Sequence, residues 1–255
     1  MQLIYLIIFF ILGTYFGSFY TVIGLRLPKH IDFIKGRSHC DNCKHDLSVF
    51  DLVPIISYVL LRGKCRYCGT KISPVSTYME IFCGVLFALS YYAFGLSYDL
   101  LIALGIVSLL IILSVSDLTY MIIPDEVLIF FSGYFIIINT LNHGLMYSLF
   151  YILSGFALFF LMYFIMRLGN FIFKKESLGG GDIKLMFVIG LVLHPFLGLV
   201  LLFIASFIAL PVSFIILLKK KQNIVPFGPF LLTSFALIYF TKIDMNMVIE
   251  WIRSL

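Results

Sequence analysis

The sequence predicts an all-α, polytopic membrane protein with about eight transmembrane helices and one small polar loop domain. Of the 255 residues, 62% are hydrophobic and 12% are charged, about half of the roughly 25% charged share of an ordinary soluble domain. A soluble monomer with so few charges would expose one continuous apolar surface to water. Long apolar runs and a single cluster of paired cysteines complete the pattern.

Eight apolar segments are predicted to form the spans. A helix needs roughly 20 apolar residues to cross about 30 Å of hydrocarbon. The first segment lacks a basic start and is too long for a signal peptide, so we expect it to remain as a helix. The segments that start at Val127, Ile183 and Pro226 are short, which leaves the number of spans less firmly predicted than their positions. The eight segments are Leu3–Leu25, Thr77–Phe94, Leu100–Ser116, Val127–Leu141, Leu145–Leu168, Ile183–His194, Phe196–Leu218 and Pro226–Phe240.

The basic residues predict the orientation of these spans, because Lys and Arg collect on the cytoplasmic side of membranes. Nine of the 18 basic residues lie between Arg26 and Lys71, which places this loop in the cytoplasm and the N-terminus outside. An eight-helix count puts two later basic clusters inside as well. This asymmetry explains the net charge of +5 without nucleic-acid binding. The later clusters are Arg167, Lys174, Lys175 and Lys184, then Lys219, Lys220 and Lys221.

Two CxxC pairs mark the cytoplasmic loop, residues 26–76, as a separate domain. Cys40 and Cys43 form the first pair and Cys65 and Cys68 the second, with 21 residues between the pairs. Two such turns suit a tetrahedral site of four thiolates around one structural zinc ion. The metal would stabilise a loop too small for its own core. The alternatives are two disulfides, which a reducing cytosol disfavours, and four unrelated thiols, which the grouping of the cysteines into two CxxC pairs disfavours.

The remaining features of the loop fit this zinc-ribbon interpretation. Gly63 and Gly69 flank the second pair and supply the backbone freedom that such turns use. Four cysteines already fill a tetrahedral shell, so the nearby histidines are expected to be ordinary surface residues. Cys83, in an apolar helix, is expected to be a small buried hydrophobe. The predicted domains are thus residues 1–25 as the first helix, 26–76 as the zinc loop and 77–255 as the membrane core. The histidines are His30, His39 and His45.

Two aspartates at the cytoplasmic ends of membrane helices are the candidate catalytic residues. A charge in or beside a span is costly unless it is paired or solvated. Asp117 ends the third span, and Asp182 precedes the sixth after three glycines, Gly179, Gly180 and Gly181. The predicted topology gives both aspartates a similar depth. They are therefore able to face each other within one bundle.

Such a pair fits the chemistry of an aspartic protease. Two close carboxylates do not easily both ionise, so one holds a proton while the other acts as base on a water molecule. The base activates water for attack on a peptide carbonyl, and the acid donates a proton to the carbonyl oxygen. The glycines would let an extended substrate approach Asp182 and would allow backbone angles closed to other residues. The alternative is that each aspartate merely caps a helix.

Two further features have open interpretations. Lys184 would support a carboxylate or contact the substrate, or it would anchor a helix end at the inner membrane face. The run Pro226-Phe227-Gly228-Pro229 would unwind the start of the last helix for a substrate strand, or it would simply start that helix.

In their order, these motifs resemble the type IV prepilin peptidases, a family of GxGD-type intramembrane aspartic proteases. The resemblance covers nearly the whole chain and adds several runs to the cysteine pairs and aspartates. These are Gly17-Ser18-Phe19, Arg26-Leu27-Pro28, Leu60 to Cys65, Glu80, Ile123-Pro124-Asp125 and Pro226 to Phe230.

The resemblance implies a bacterial inner-membrane enzyme with prepilin or pseudopilin precursors as partners, in pilus assembly, competence or secretion. Family members cleave a basic leader at the cytoplasmic face, after Gly and before a hydrophobic residue that is often Phe. Many then methylate the new N-terminus with S-adenosylmethionine. Asp117 and Asp182 match the catalytic pair, with Asp125 and Glu126 as rivals for the first role. For methyl transfer, the cysteine loop and Glu80 are candidates by analogy alone.

Two other functions compete with this interpretation. A transporter would use Asp117 and Asp182 to bind a cation or relay protons, although no internal repeat supports it. A scaffold built on the zinc loop would leave both aspartates unexplained. A metal-dependent membrane protease is disfavoured because the sequence has no HExxH motif.

Overall fold

The computed structural model of the protein describes residues 1–33, 38–40, 42–174, 178–220, 225–243 and 247, without the side chains of residue 173 and residues 216–220. Within these ranges the regular structure is helical, apart from two isolated β-bridges, His39–Asp46 and Lys64–Lys71. The predicted all-α class is confirmed. Four of the basic residues used to predict the orientation lie outside the described residues, namely Lys35, Arg37, Lys175 and Lys221.

Each of the eight predicted apolar segments corresponds to an α-helix. One additional short helix, α2, lies in the cysteine loop, which also contains two 3₁₀ turns, Leu27–Lys29 and Val49–Leu52. The α-helices are α1 (Gln2–Arg26), α2 (Ile56–Leu60), α3 (Val75–Phe94), α4 (Tyr98–Tyr120), α5 (Asp125–His143), α6 (Leu145–Phe173), α7 (Gly180–Gly190), α8 (Pro195–Lys220) and α9 (Gly228–Phe240).

Five helices in the described part of the chain are long and apolar enough to cross a membrane, namely α1, α3, α4, α6 and α8. The protein is therefore a multi-pass membrane protein. The predicted count of eight spans is not confirmed. With 11 residues, α7 is about 16 Å long, roughly half of the hydrocarbon thickness.

Two compact units make up the chain, Met1–Leu96 and Ser97–Leu255. In the first unit, α1 packs along α3 through glycines. A Cβ atom added to Gly13 would lie 2.7 Å from the Cα of Gly84, and one added to Gly17 would lie 2.8 Å from the Cβ of Cys83. Small residues let two membrane helices approach this closely. Cys83 is fully buried at this contact, as predicted.

In the second unit, α4 is the central helix and is buried along most of its length. It contacts α5 and α9, while α7 lies against α6. A Cβ atom on Gly190 would lie 2.6 Å from the Cα of Gly155, so α6 and α7 touch backbone to backbone. The amide of Asn139 on α5 donates to the carbonyl of Leu191 at 2.6 Å, just beyond α7. These contacts hold the C-terminal end of α7, whereas the two candidate aspartates lie at the end of α4 and the start of α7.

The glycine contact between α1 and α3 predicts that Gly13→Ala destabilises the first unit by about 1–3 kcal/mol, because the added methyl group overpacks the helix interface. The measurement is the midpoint of thermal unfolding of the purified protein in detergent, monitored by circular dichroism. Gly133→Ala is the matched control, since an added Cβ atom there meets nothing within 4 Å. Equal midpoints for the two variants would contradict this account of the packing.

Candidate aspartate site and metal-binding loop

Asp117 lies in the last turn of α4 with its side chain turned into the protein, 6% exposed. The helix ends just after it, because Met121 adopts a left-handed conformation and its N–H bonds to the Asp117 carbonyl. The side-chain Oδ2 accepts a hydrogen bond from the N–H of Gly228 at 3.1 Å. Gly228 is the first residue of α9. A helix N-terminus, with its free N–H groups and partial positive charge, therefore faces the carboxylate.

Asp182 lies in the first turn of α7 and is also buried, 9% exposed. Its carboxylate is close enough to that of Asp117 for the two to interact electrostatically. Among the described residues no group donates a hydrogen bond to the Asp182 carboxylate, in contrast to Asp117. The fold thus brings together the two aspartates that the sequence singled out, 65 positions apart in the chain.

Ile123 is a neighbour of both helix starts that sequence reasoning did not identify as part of the site. A Cβ atom on Gly181 would lie 2.8 Å from the Cβ of Ile123, and one on Gly228 would lie 3.3 Å from its Cδ1. The hydroxyl of Ser116 donates to the carbonyl of Ile122 at 2.5 Å and ties this segment to α4. One side chain therefore packs between the starts of α7 and α9.

The three glycines before Asp182 do not have the unusual backbone angles that we expected. Gly179 has φ −70° and ψ 139°, and Gly180 and Gly181 begin α7; the described glycines with positive φ lie elsewhere. Gly181 is restricted by contact with Ile123, whereas an added Cβ atom on Gly180 would meet nothing within 4 Å. The close approach of a substrate to this turn remains a prediction.

The run from Pro226 to Pro229 begins as irregular backbone before α9 starts at Gly228. A Cβ atom added to Gly228 would lie 2.7 Å from Asp117 Oδ2. Glycine at this position therefore allows the backbone to reach the carboxylate. The sequence marked this run as a motif but did not indicate its partner.

Lys184 forms an ion pair with Asp125, with Nζ 2.6 Å and 2.8 Å from the two carboxylate oxygens. Both side chains are about half exposed. The pair links α5 to α7 and accounts for Lys184 without a contact to Asp117 or Asp182. It also engages Asp125, one of the two rivals for the first catalytic role, outside the buried pair.

The four cysteines of the loop converge on one point. Their sulfur atoms all lie within 4.8 Å of one another, and none of them forms a disulfide. Gly63 and Gly69 have φ of +67° and +70°, so the predicted use of their backbone freedom is confirmed. The amide of Asn42 donates to the hydroxyl of Thr70 at 2.8 Å and ties the two turns together. This cluster could hold a metal ion.

The electrostatics of the cysteine cluster favour a cation. The N–H groups of Cys43 and Asn42 lower the pKa of Cys40, and hydrogen bonding with the side chain and backbone of Thr70 lowers the pKa of Cys68 to about 6. At Cys43 the N–H of His45 acts in the same direction, but desolvation and the neighbouring sulfurs raise its pKa to about 11. A cation among the four sulfurs would stabilise their thiolate forms and deprotonate the remaining thiols.

Glu80 is a buried acid in α3, 6% exposed. Its Oε2 accepts the N–H of Ile55 at 2.9 Å. Ile55 has φ 62° and ψ −53°, which is rare for a β-branched residue. The N–H of Ile56 donates to the carbonyl of Pro54 at 2.6 Å and closes a γ-turn around Ile55. Glu80 therefore holds a strained turn of the loop against α3.

Two known protein families match the chain, one within each of the two compact units. Residues 11–94 match the bacterial peptidase A24 N-terminal domain, and residues 104–214 match the type IV leader peptidase family. A prepilin leader peptidase/N-methyltransferase of Bacillus subtilis is 38% identical over 186 residues, which cover 73% of this chain and 73% of that protein. The chain belongs to the type IV leader peptidase family.

Other relatives of this family carry the same name. The Vibrio cholerae protein is 32% identical over 259 residues, covering 94% of this chain and 98% of its own. The Neisseria gonorrhoeae protein is 27% identical and covers 94% and 92%. No solved structure gives a significant match. Family membership supports the protease interpretation, and nothing in these relatives supports the transporter.

The sulfur cluster predicts that the purified protein binds one divalent metal ion per chain. Cys68→Ser should lose it, because three sulfurs cannot close a tetrahedral shell. The measurement is metal content by elemental mass spectrometry. Cys83→Ser is the control, since Cys83 lies in α3 outside the cluster and its loss should leave the metal in place. Equal metal loss from both variants would count against the four-sulfur site.

Proposed function

We propose that this protein is the endopeptidase that removes the leader from type IV prepilin or pseudopilin precursors, with Asp117 and Asp182 as its catalytic pair. The observation that carries the proposal is the convergence of two buried aspartates at the end of α4 and the start of α7. Membership of the leader peptidase family and the printed names of the relatives support the same reaction.

In the proposed mechanism the two carboxylates have different protonation states. The N–H of Gly228 stabilises the ionised form of Asp117, so Asp117 takes a proton from water as the water oxygen attacks the scissile carbonyl carbon. Asp182, which lacks such a donor among the described residues, holds the other proton and gives it to the carbonyl oxygen. Asp117 then passes its proton to the leaving nitrogen as the C–N bond breaks, and Asp182 recovers a proton from a hydroxyl group of the gem-diol as the carbonyl of the new carboxylic acid forms.

We further propose a structural zinc ion for the cysteine cluster and S-adenosylmethionine as methyl donor. Four sulfurs within 4.8 Å of one another fit the tetrahedral Cys₄ geometry that zinc prefers. The zinc would fold the loop and take no part in peptide hydrolysis. Methyl transfer rests on the names of the relatives, and we assign no residue to the methyl donor. The cysteine loop and the aspartates are proposed to lie on the cytoplasmic side, with the N-terminus outside.

The experiment that tests the proposed function is intact-mass analysis of a pilin-type precursor with a Gly-Phe junction, incubated with the protein in lipid. Asp117→Asn and Asp182→Asn should each abolish loss of the leader, since neither amide can act as the base or the acid. Asp125→Asn is the matched control and should retain cleavage, because Asp125 pairs with Lys184. Leader cleavage by Asp117→Asn or by Asp182→Asn would refute this assignment. Loss of cleavage in Asp125→Asn alone would refute it as well. A gain of one methyl group with S-adenosylmethionine would establish the second activity.

The contact between Gly228 and Asp117 gives a separate prediction. Gly228→Ala should lower kcat/KM about tenfold or more, because a hydrogen bond to a charged group is worth roughly 1.5–3 kcal/mol. The measurement is kcat/KM for leader cleavage by the purified variant and the wild-type protein in lipid. Gly133→Ala is the control, since a Cβ atom added there meets nothing within 4 Å; an unchanged kcat/KM in Gly228→Ala would remove Gly228 from the mechanism.

A further inference from the structure

Large apolar side chains are exposed in the cysteine loop between the two CxxC turns. Phe50 is 79% exposed and Leu60 is 76% exposed, in a segment of only 12 residues. This is unusual for a polar loop, where single exposed apolar residues are common but clusters mark interaction sites. We call this cluster the loop patch. It consists of Val49, Phe50, Leu52, Ile56, Val59 and Leu60.

The loop patch is one surface and not a scatter of side chains. Ile56, Val59 and Leu60 are spaced i, i+3 and i+4 on α2, so they share one face of that helix. Phe50, from the 3₁₀ turn before α2, lines the same cavity of about 470 Å³ as Ile56 and Leu60. The turn and the helix thus present Phe50, Ile56 and Leu60 around a single cleft.

The start of α2 lies beside a helix long and apolar enough to span the membrane. The N–H of Ile55, the residue before α2, donates to Glu80 at 2.9 Å. Glu80 is the sixth residue of α3, a candidate membrane span. Six residues correspond to about 9 Å of helix. Ile56 therefore emerges next to the second turn of α3 and not at the far tip of the loop.

The charge around the loop patch is positive. Residues 49–71 contain four basic side chains, Arg62, Lys64, Arg66 and Lys71, and one acid, Asp51. Asp51 is bound to Arg66 at 2.6 Å, and the hydrogen bonds of Ser48 and Arg66 keep its pKa low despite partial burial. The anion is thus neutralised locally. Arg62, Lys64 and Lys71 remain as an excess of positive charge in the chain segment that follows the loop patch.

We infer that the loop patch inserts into the interfacial region of an anionic lipid leaflet, the membrane that holds α1 and α3. A polar element with an apolar face and flanking Lys and Arg lies in the interface plane, its apolar side about 5–10 Å into the headgroup and acyl boundary. Anionic headgroups attract basic side chains that lie near the membrane surface. The connection of both ends of the loop to apolar helices, and the contact of Ile55 with Glu80, select lipid over a soluble partner. The inference goes beyond the proposed protease activity and does not depend on it.

The test uses the full-length protein reconstituted in vesicles, with Phe50→Trp introduced in a Trp251→Phe background so that one tryptophan reports. The probe is quenching of its fluorescence by lipids brominated on the acyl chain, in phosphatidylglycerol and in phosphatidylcholine vesicles. Leu60→Trp, in the same background, places the reporting tryptophan on α2. His45→Trp is the control, an exposed position of the first cysteine turn outside the patch. Retained metal content shows that each variant keeps the folded loop.

We expect brominated phosphatidylglycerol to reduce emission from positions 50 and 60 roughly twofold or more relative to position 45, as for side chains at interfacial depth. Quenching should be weaker in phosphatidylcholine. Three results would overturn the inference: equal quenching at all three positions, access of position 50 to aqueous acrylamide without lipid quenching, or protection from both quenchers, which would mean that protein covers the patch. Equal quenching in the two lipids would overturn the part assigned to charge. Leader cleavage is measured on the same vesicles, so a failure of the protease proposal is seen separately.

Discussion

The hydrogen bond from the N–H of Gly228 to Asp117 is the interaction on which the arrangement of the second unit depends. An isolated carboxylate at the end of an apolar helix is costly to bury. In this protein a helix start supplies an N–H group at 3.1 Å, and the partial positive charge of α9 acts in the same direction. The position of α9 is therefore tied to the position of Asp117. Ile123 then extends this relationship to α7, because its side chain contacts both Gly228 and Gly181.

A second buried carboxylate organises the first unit in a comparable way. Glu80 accepts the N–H of Ile55, a residue held in a strained conformation. Strain of this kind costs about 1–3 kcal/mol and persists only when surrounding contacts compensate for it. The hydrogen bond to Glu80 and the bond from the N–H of Ile56 to the carbonyl of Pro54 are two such contacts. They hold the turn against α3 and determine where the apolar face of α2 emerges, which hydropathy alone does not indicate.

The positions of the helices and the identity of the candidate site were predictable from sequence, whereas the contacts within the site were not. Apolar runs locate helices because burial in lipid or protein is averaged over many residues. Asp117 and Asp182 stood out because acids are rare in such runs. In contrast, Gly228 lies 111 positions from Asp117, and nothing local in either segment specifies that contact. Ile123 belongs to a run that the family resemblance marked, but its packing role was not predictable because it depends on two glycines that belong to other helices.

The contacts between α9 and α4 explain why the number of spans could not be predicted from helix length. The hydroxyl of Tyr239 near the end of α9 donates to the carbonyl of Asp99 at the start of α4, while Gly228 at the other end meets Asp117. The two helices are therefore antiparallel, and α9 matches a stretch of α4 that is about 27 Å long. With 13 residues, α9 provides about 20 Å of this length, and the tyrosine side chain reaches across much of the rest. By its length α9 is too short to be identified as a membrane span. Its two ends are nevertheless bound to the two ends of α4, which is long enough to be one of the spans.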